Sequence, residues 1–234
     1  MTVLEVGGVA NVRDVGGLAA GSSRVRTGVL FRSGHLARLT AEGGAALTAR
    51  VRRVVDLRDD AEVEREPSAL SGVPTTRIPL FLGSVGSFFA QNMDLSAMYR
   101  HLIDESASRL VDAVRIIAAG EPTLVHCTVG KDRTGVTVAL ALSAVGADRD
   151  AVIADYALTA SQLPVERSRA IVQYLRANLP DATNAVQLAT ESPAPVMAAM
   201  LADIDARFGS ARGYLRDAGM TAAELDALSA ALLD

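Results

Sequence analysis

Cys127 is the only cysteine among 234 residues, and Lys131, four positions on, is the only lysine. Both fall in Leu124-Val125-His126-Cys127-Thr128-Val129-Gly130-Lys131-Asp132-Arg133-Thr134-Gly135, which runs into an apolar helical stretch. The order is a buried-strand pattern, a thiol, a five-residue loop, an arginine, a threonine and a helix start. A loop wrapped onto a helix N-terminus points backbone N–H groups inward and forms an anion-binding nest. Here Thr128, Val129, Gly130, Lys131, Asp132 and Thr134 build the nest. Arg133 closes it with a planar fork that grips two oxygens of a tetrahedral oxyanion. Cys127 beneath the nest is the nucleophile, because the helix dipole and inward donors favour thiolate over thiol. The Thr134 hydroxyl is a donor for the sulfur, and Gly130 and Gly135 permit tight turns.

Other chemistries fit this segment poorly. A nucleotide-binding loop needs glycine where Val125 stands and Ser or Thr where Asp132 stands. A papain-like pair would need a distant histidine; His35 and His101 exist, but no papain-type sequence surrounds Cys127. His126 is adjacent to Cys127 in a strand, so its side chain points to the opposite face and supports the loop. Two further classes stay open: a catalytically idle phosphate-binding module, and a rhodanese-type sulfurtransferase, which also holds a thiol in an anion-binding loop.

The elements that must position this loop read as follows. Val29–Phe31, Val54–Leu57, Leu124–His126 and Thr76–Pro79 are short strands, the last ending at its proline. Helical patterns cover 40–50, 60–66 and a long stretch at 94–119. After His126 only helices are expected, at 133–146, 149–160, 164–178, 193–208 and 222–233. Ser192-Pro193 and the capping box Thr221-Ala222-Ala223-Glu224 mark two helix starts. Stretches at 67–75, 180–192 and 209–213 read as linkers too short to separate domains. The expectation is one α/β domain over 1–234, with a central mixed or parallel sheet flanked by helices and a helical C-terminal part.

Composition narrows the partners. Half the residues are hydrophobic and 21% charged, which is globular rather than disordered. A net charge of −4 with 4% aromatics gives no footprint for nucleic acid. The longest apolar stretch, Val136 to Val145, is about half of the ~20 residues a membrane span needs. Neither a transmembrane segment nor a signal peptide is visible, so a cytoplasmic location is expected, with export by another route left open. One thiol excludes an intrachain disulfide. No metal or cofactor is implied, and nothing bears on oligomeric state.

HCTVGKDRTG resembles the Cys-x5-Arg-Thr signature of cysteine-dependent phosphatases. More narrowly, the chain resembles the bacterial tyrosine/lipid phosphatase family typified by mycobacterial protein tyrosine phosphatase B. Asn11-Val12-Arg13-Asp14-Val15-Gly16-Gly17 is similar to that family's Asn-x-Arg-Asp-x-Gly-Gly, and Val55-Asp56-Leu57-Arg58 to its Asp-Leu-Arg strand end. Asp155-Tyr156, Phe208-Gly209-Ser210 and Gly213-Tyr214-Leu215 match its helical C-terminal pattern. The match spans about residues 8–234. It implies a protein-tyrosine-phosphatase-like fold and a dual-specificity hydrolase. The expected substrates are phosphotyrosine, phosphoserine or phosphothreonine proteins and phosphoinositides, with inorganic phosphate as product.

Ester cleavage needs an acid to protonate the leaving oxygen. The chain has no tryptophan, so the usual Trp-Pro-Asp loop is absent. Asp132 inside the loop and Asp56 at a strand end both qualify from the residues alone; the resemblance implies Asp132, with Asp56 nearby. Lys131 is either a solvated loop cation or, as in resembling enzymes acting on phosphoinositides, a contact to an additional phosphate. Asn11, Arg13 and Asp14 read as supporting residues. A turn fixed by Asx hydrogen bonds before Gly16-Gly17 is the first reading for all three, favoured for Asn11 and Arg13, with packing of Asp14 against the site wall as the alternative. In 164–179, Val165, Ile171, Val172, Leu175 and Leu179 share one helix face, and Glu166, Arg167, Arg169 and Arg176 another. That is either an ordinary surface helix or, as the resemblance implies, part of a two-helix lid over 161–191 that would shield the thiolate from oxidation.

Overall fold

A computed structural model describes residues 1–80 and 92–234 of the chain. Eight short strands are described: β1 (Thr2–Val3), β2 (Arg13–Asp14), β3 (Ala19–Ala20), β4 (Ser23–Arg24), β5 (Leu30–Ser33), β6 (Arg53–Asp56), β7 (Thr75–Arg77) and β8 (Thr123–His126). Six of them form one sheet in the order β1-β2-β5-β8-β6-β7. β5, β8, β6 and β7 run parallel, and β2 and β1 extend the β5 edge antiparallel. Central strand β8 is buried at every position, as a parallel strand covered on both faces must be. Its last residue, His126, lies in register with Ser33 of β5 and Asp56 of β6. Cys127 therefore leaves the sheet at the carboxyl ends of three parallel strands, where α/β folds place their sites.

The helices are α1 (Ala41–Thr48), α2 (Asp60–Arg65), α3 (Leu95–Glu105), α4 (Ala107–Ala118), α5 (Asp132–Ala144) and α6 (Arg149–Gln162). They continue as α7 (Val165–Asn178), α8 (Ala185–Thr190), α9 (Ala194–Phe208), α10 (Ala211–Asp217) and α11 (Ala222–Leu232). α5 is the spine of the larger core: Val136, Val138, Leu140 and Leu142 pack with residues of α4, α9, α10 and α11. Burial on every side explains its apolar run without making it a membrane helix; no helix among the described residues is long and apolar enough to cross a membrane. A second cluster of Val12, Phe31, Leu47, Val54 and Leu124 contains β5, β6, β8 and α1 residues.

The α/β class and the four central strands hold. The expected long helix at 94–119 is two helices, because Ser106 leaves helical geometry (φ −117°, ψ 17°) and turns its hydroxyl onto Leu80 O at 2.8 Å. Of the stretches read as linkers, 180–192 contains α8 and 209–213 runs into the first residues of α10. Strands β1–β4 were not expected; at two residues each they show no alternation to read.

Candidate active site

The loop after Cys127 is held from outside by its carbonyls. Thr128 O accepts from His35 N at 3.1 Å. Val129 O and Gly130 O accept from Asn11 Nδ2 at 3.1 and 3.0 Å, and Gly130 O also from Arg32 Nη2 at 2.6 Å. In a trans peptide the N–H points opposite to the preceding C=O. Tying these carbonyls outward therefore turns the following N–H groups inward. The N–H groups of Thr128 through Asp132 bond to no described residue, which leaves them for an anion. Gly130 has φ 69°, and a Cβ there would sit 2.2 Å from Ser33 O, so only glycine fits.

This cup rests on a buried charge cluster. Asp155 of α6 takes Arg13 Nε on Oδ1 at 2.7 Å and Arg32 Nη1 on Oδ2 at 2.6 Å. Arg13 also bonds Asp155 O, Thr159 Oγ1 and the Asn11 side chain. Burial would raise the Asp155 carboxyl, but the two guanidiniums outweigh it and hold it below the usual range. Of the turn read for the N-terminal motif, only the part of Asp14 is found. Asn11 (φ 62°) and Arg13 support the loop, whereas Asp14 fixes the turn by accepting from Gly16 N at 2.8 Å and Gly28 N at 2.7 Å.

Cys127 is 2% exposed and lines a cavity of about 460 Å³ with Glu62, Asp132 and Arg133. Arg133 Nη1 and Nη2 grip Glu62 Oε2 and Oε1 at 2.6 and 2.7 Å. Glu62 also accepts from Thr128 Oγ1. Burial opposes ionisation of Glu62, yet Arg133 and Thr128 bring it down to about 2. Burial likewise opposes the charge on Arg133, but Glu62 more than restores it.

Asp132 Oδ1 accepts from the Tyr99 hydroxyl at 2.9 Å and lies 3.4 Å from Lys131 Nζ. Asp56 does not line the cavity. It is 2% exposed and bound to Arg58 through Nη2–Oδ2 at 2.7 Å and Nε–Oδ1 at 2.9 Å. Burial would raise its carboxyl, but the Arg58 guanidinium holds it below the usual range. Asp56 thus sits outside the cavity that contains Cys127 and holds Arg58, whereas Asp132 lines that cavity. Buried His126 has Nδ1 3.2 Å from Cys127 O, and burial favours its neutral ring.

Two further expectations change. Thr134 Oγ1 is buried with no hydrogen-bond partner among the described residues, so it makes no bond to Cys127 in this structure. Lys131 is neither solvated nor turned into the cavity. Its Nζ donates to Leu188 O at 2.6 Å and Glu191 O at 2.7 Å. A buried ammonium needs acceptors, and carbonyls at a helix C-terminus are acceptors with a favourable dipole.

α7 and α8 face this cavity. Arg167, Ile171, Leu188 and Ala189 line it opposite Cys127 and Arg133. The expected amphipathic split of 164–179 is only partial, since Val165 is 62% exposed and Arg167 turns inward.

The sequence profile described as "Tyrosine phosphatase family" matches residues 4–234. The chain belongs to the tyrosine phosphatase family. It is a hydrolase of the protein-tyrosine-phosphatase type. The triple specificity protein phosphatase PtpB of Mycobacterium tuberculosis is 32% identical over 284 aligned residues, covering 100% of both chains. A Cupriavidus necator protein named as a tyrosine-protein phosphatase is 32% identical over 224 residues, covering 90% of this chain and 81% of its own. The crystal structure of P. aeruginosa TpbA aligns at 18% identity with a TM-score of 0.34, over 76% of this chain and 89% of its own.

The phosphatase site contains residues that the sequence reading missed. Glu62 had a readable signal: Asp59 and Glu62 form a capping box at α2, and the same carboxylate then reaches Arg133. Arg32, Tyr99 and Arg167 gave none, because each meets the loop from a separate element.

Proposed function

We propose that this chain hydrolyses phosphomonoesters of phosphotyrosine, phosphoserine or phosphothreonine proteins and of phosphoinositides, releasing inorganic phosphate. The printed specificity of the mycobacterial relative supports that breadth. Cys127 Sγ attacks phosphorus, the P–O bond breaks, and its electron pair leaves with the ester oxygen. Arg133 and the inward N–H groups of the loop hold the phosphoryl oxygens as charge shifts onto them. Asp132 gives its proton to the leaving oxygen, then takes one from the water that attacks the phosphocysteine. The electrons of the P–S bond return to Sγ, where the unpartnered Thr134 hydroxyl is a donor for the departing thiolate.

The observation that carries this reading is the cup itself, in which loop carbonyls are anchored outward around a cavity-lining thiol. Residues 161–191 act as a lid whose underside is Arg167, Ile171 and Leu188. Lys131 anchors that lid rather than contacting an additional phosphate. A panel of phosphotyrosine, phosphoserine and phosphothreonine peptides with phosphoinositides tests the proposal. Release of phosphate from several classes is expected; release from phosphotyrosine alone would overturn the breadth. Thiosulfate-to-cyanide transfer without phosphate release would overturn the reaction class.

A further inference from the structure

The two oxygens of Asp132 have different surroundings. Oδ1 receives the Tyr99 hydroxyl and has Lys131 Nζ within 3.4 Å. Oδ2 is bonded by no described residue, and Asp132 lines the cavity that contains Cys127. Tyr99 is 1% exposed, as is Tyr156, and their hydroxyls are 2.7 Å apart. A carboxyl oxygen without a proton of its own only accepts, and a phenol has one proton. Tyr99 therefore donates to Asp132, and Tyr156 donates to the Tyr99 oxygen. The rings meet edge to face, with centroids 6.0 Å apart, so α3 and α6 together fix the hydroxyl beneath the first residue of α5.

We propose that Tyr99, backed by Tyr156, is a positioning residue for proton transfer: it holds Oδ1 of Asp132 so that Oδ2 is the oxygen that exchanges the proton. In the first half-reaction the proton passes from Oδ2 to the ester oxygen as that oxygen takes the P–O electron pair. In the second, Oδ2 takes a proton from water as the water oxygen bonds phosphorus and the P–S electrons return to Sγ. Tyr99 keeps its proton throughout. Burial, and then the charge of Asp132, push its phenol above the ordinary range. Burial does the same for Tyr156. The inference rests on Asp132 being the general acid.

The test compares Tyr99→Phe, Tyr156→Phe, Asp132→Asn and the Tyr99→Phe/Asp132→Asn double variant. Each is assayed on p-nitrophenyl phosphate, a good leaving group, and on an alkyl phosphate, a poor one. Phenylalanine keeps the ring packing and removes only the hydroxyl. For Tyr99→Phe, kcat on the alkyl phosphate should fall about tenfold, kcat on p-nitrophenyl phosphate less than about twofold, and both KM values should stay put. Tyr156→Phe should show the same pattern at about threefold, and it serves if Tyr99→Phe does not fold. The double variant should lose no more on the alkyl phosphate than Asp132→Asn alone. Equal losses on both substrates, unchanged kinetics, or multiplied losses in the double variant would overturn the role of Tyr99. If Asp132→Asn itself shows no leaving-group dependence, the acid assignment fails and takes this inference with it.

Discussion

The floor and the roof of the catalytic cavity are built in opposite ways. The floor is over-determined: Cys127, Lys131, Arg133 and Thr134 are all at most 4% exposed, and the loop carbonyls are held by Asn11, Arg32 and the His35 amide. Beneath it, Asp155 joins two buried guanidiniums. The roof is lightly attached. Among α7 residues only Leu175 is buried, and it packs with Ala185 and Ala189 rather than with the main core. α8 is joined to the floor by Lys131, and the segment ends at Ser192, whose hydroxyl donates to Ala157 O at 3.0 Å. The difference separates two tasks. Transition-state stabilisation needs donors that do not reorganise, whereas admitting a bulky ester needs a cover with little to break.

The comparison breaks most visibly at the floor. Cys127→Ser should lower turnover to less than about a hundredth of wild type, because an alcohol here is far less ionised than a thiol. Arg133→Lys should be nearly as damaging, since a point charge cannot replace a fork held by Glu62. Cys127→Ser should melt close to wild type, as followed by circular dichroism, whereas Arg133→Lys also loses the bidentate pair with Glu62 and should melt lower. Gly130→Ala acts differently: its Cβ meets Ser33 O, so stability and activity should fall together. A loss of at least about 1–3 kcal/mol is expected for a non-glycine residue at that φ, before the clash is counted.

How much of this was legible follows the same division. The thiol, arginine and loop glycine lie within seven consecutive residues, so one segment of sequence carried them. The central strands and most helices followed from apolar period and caps. Glu62 lies 71 positions from its partner Arg133, and Arg32 lies 98 from Gly130. Such pairs leave no local pattern. The anchoring role of Asn11 was hidden for the same reason: an Asx turn and a long-range amide anchor use the same residue types, and only the position of the loop distinguishes them. Neither reading of Lys131, solvated cation or additional-phosphate contact, anticipated its anchoring, because its acceptors, two backbone carbonyls, have no sequence signature at all.

Glu62→Gln sharpens the account at intermediate size. It keeps the shape but weakens the grip on Arg133, so kcat/KM should fall about tenfold. The sign of its pH effect is fixed. Glu62 titrates at about 2 in the fold against an ordinary 4.5. Its contribution to stability is therefore complete above pH 4.5 and lost as pH falls toward 2. Acid unfolding of Glu62→Gln should be shallower across that window; an identical profile would show that the ion pair contributes nothing to stability.

The smallest effects belong to the roof. Leu175→Asn removes about 1.5–3 kcal/mol of burial from the α7–α8 cluster, yet the main core does not contain it. Global melting should change little. Inactivation of Cys127 by peroxide should accelerate, and KM for bulky substrates should fall or stay unchanged. Val172 is a poorer choice than its helix face implied, because it borders an open groove that no residue of the Cys127 loop lines. If Leu175→Asn unfolds the whole protein, or leaves peroxide sensitivity as in wild type, the roof is not a separable cover.

The most direct measurement is rapid quenching of the enzyme during turnover of p-nitrophenyl phosphate, followed by mass spectrometry of the peptide containing residue 127. A phosphoryl group on Cys127 should appear within the first turnover and be absent from Cys127→Ser. Asp132→Asn should also change the accumulated level of this adduct, as the water-activating role proposed for Asp132 requires. Full turnover with no phosphocysteine at any quench time, or phosphate release by Cys127→Ser at the wild-type rate, would contradict the covalent mechanism.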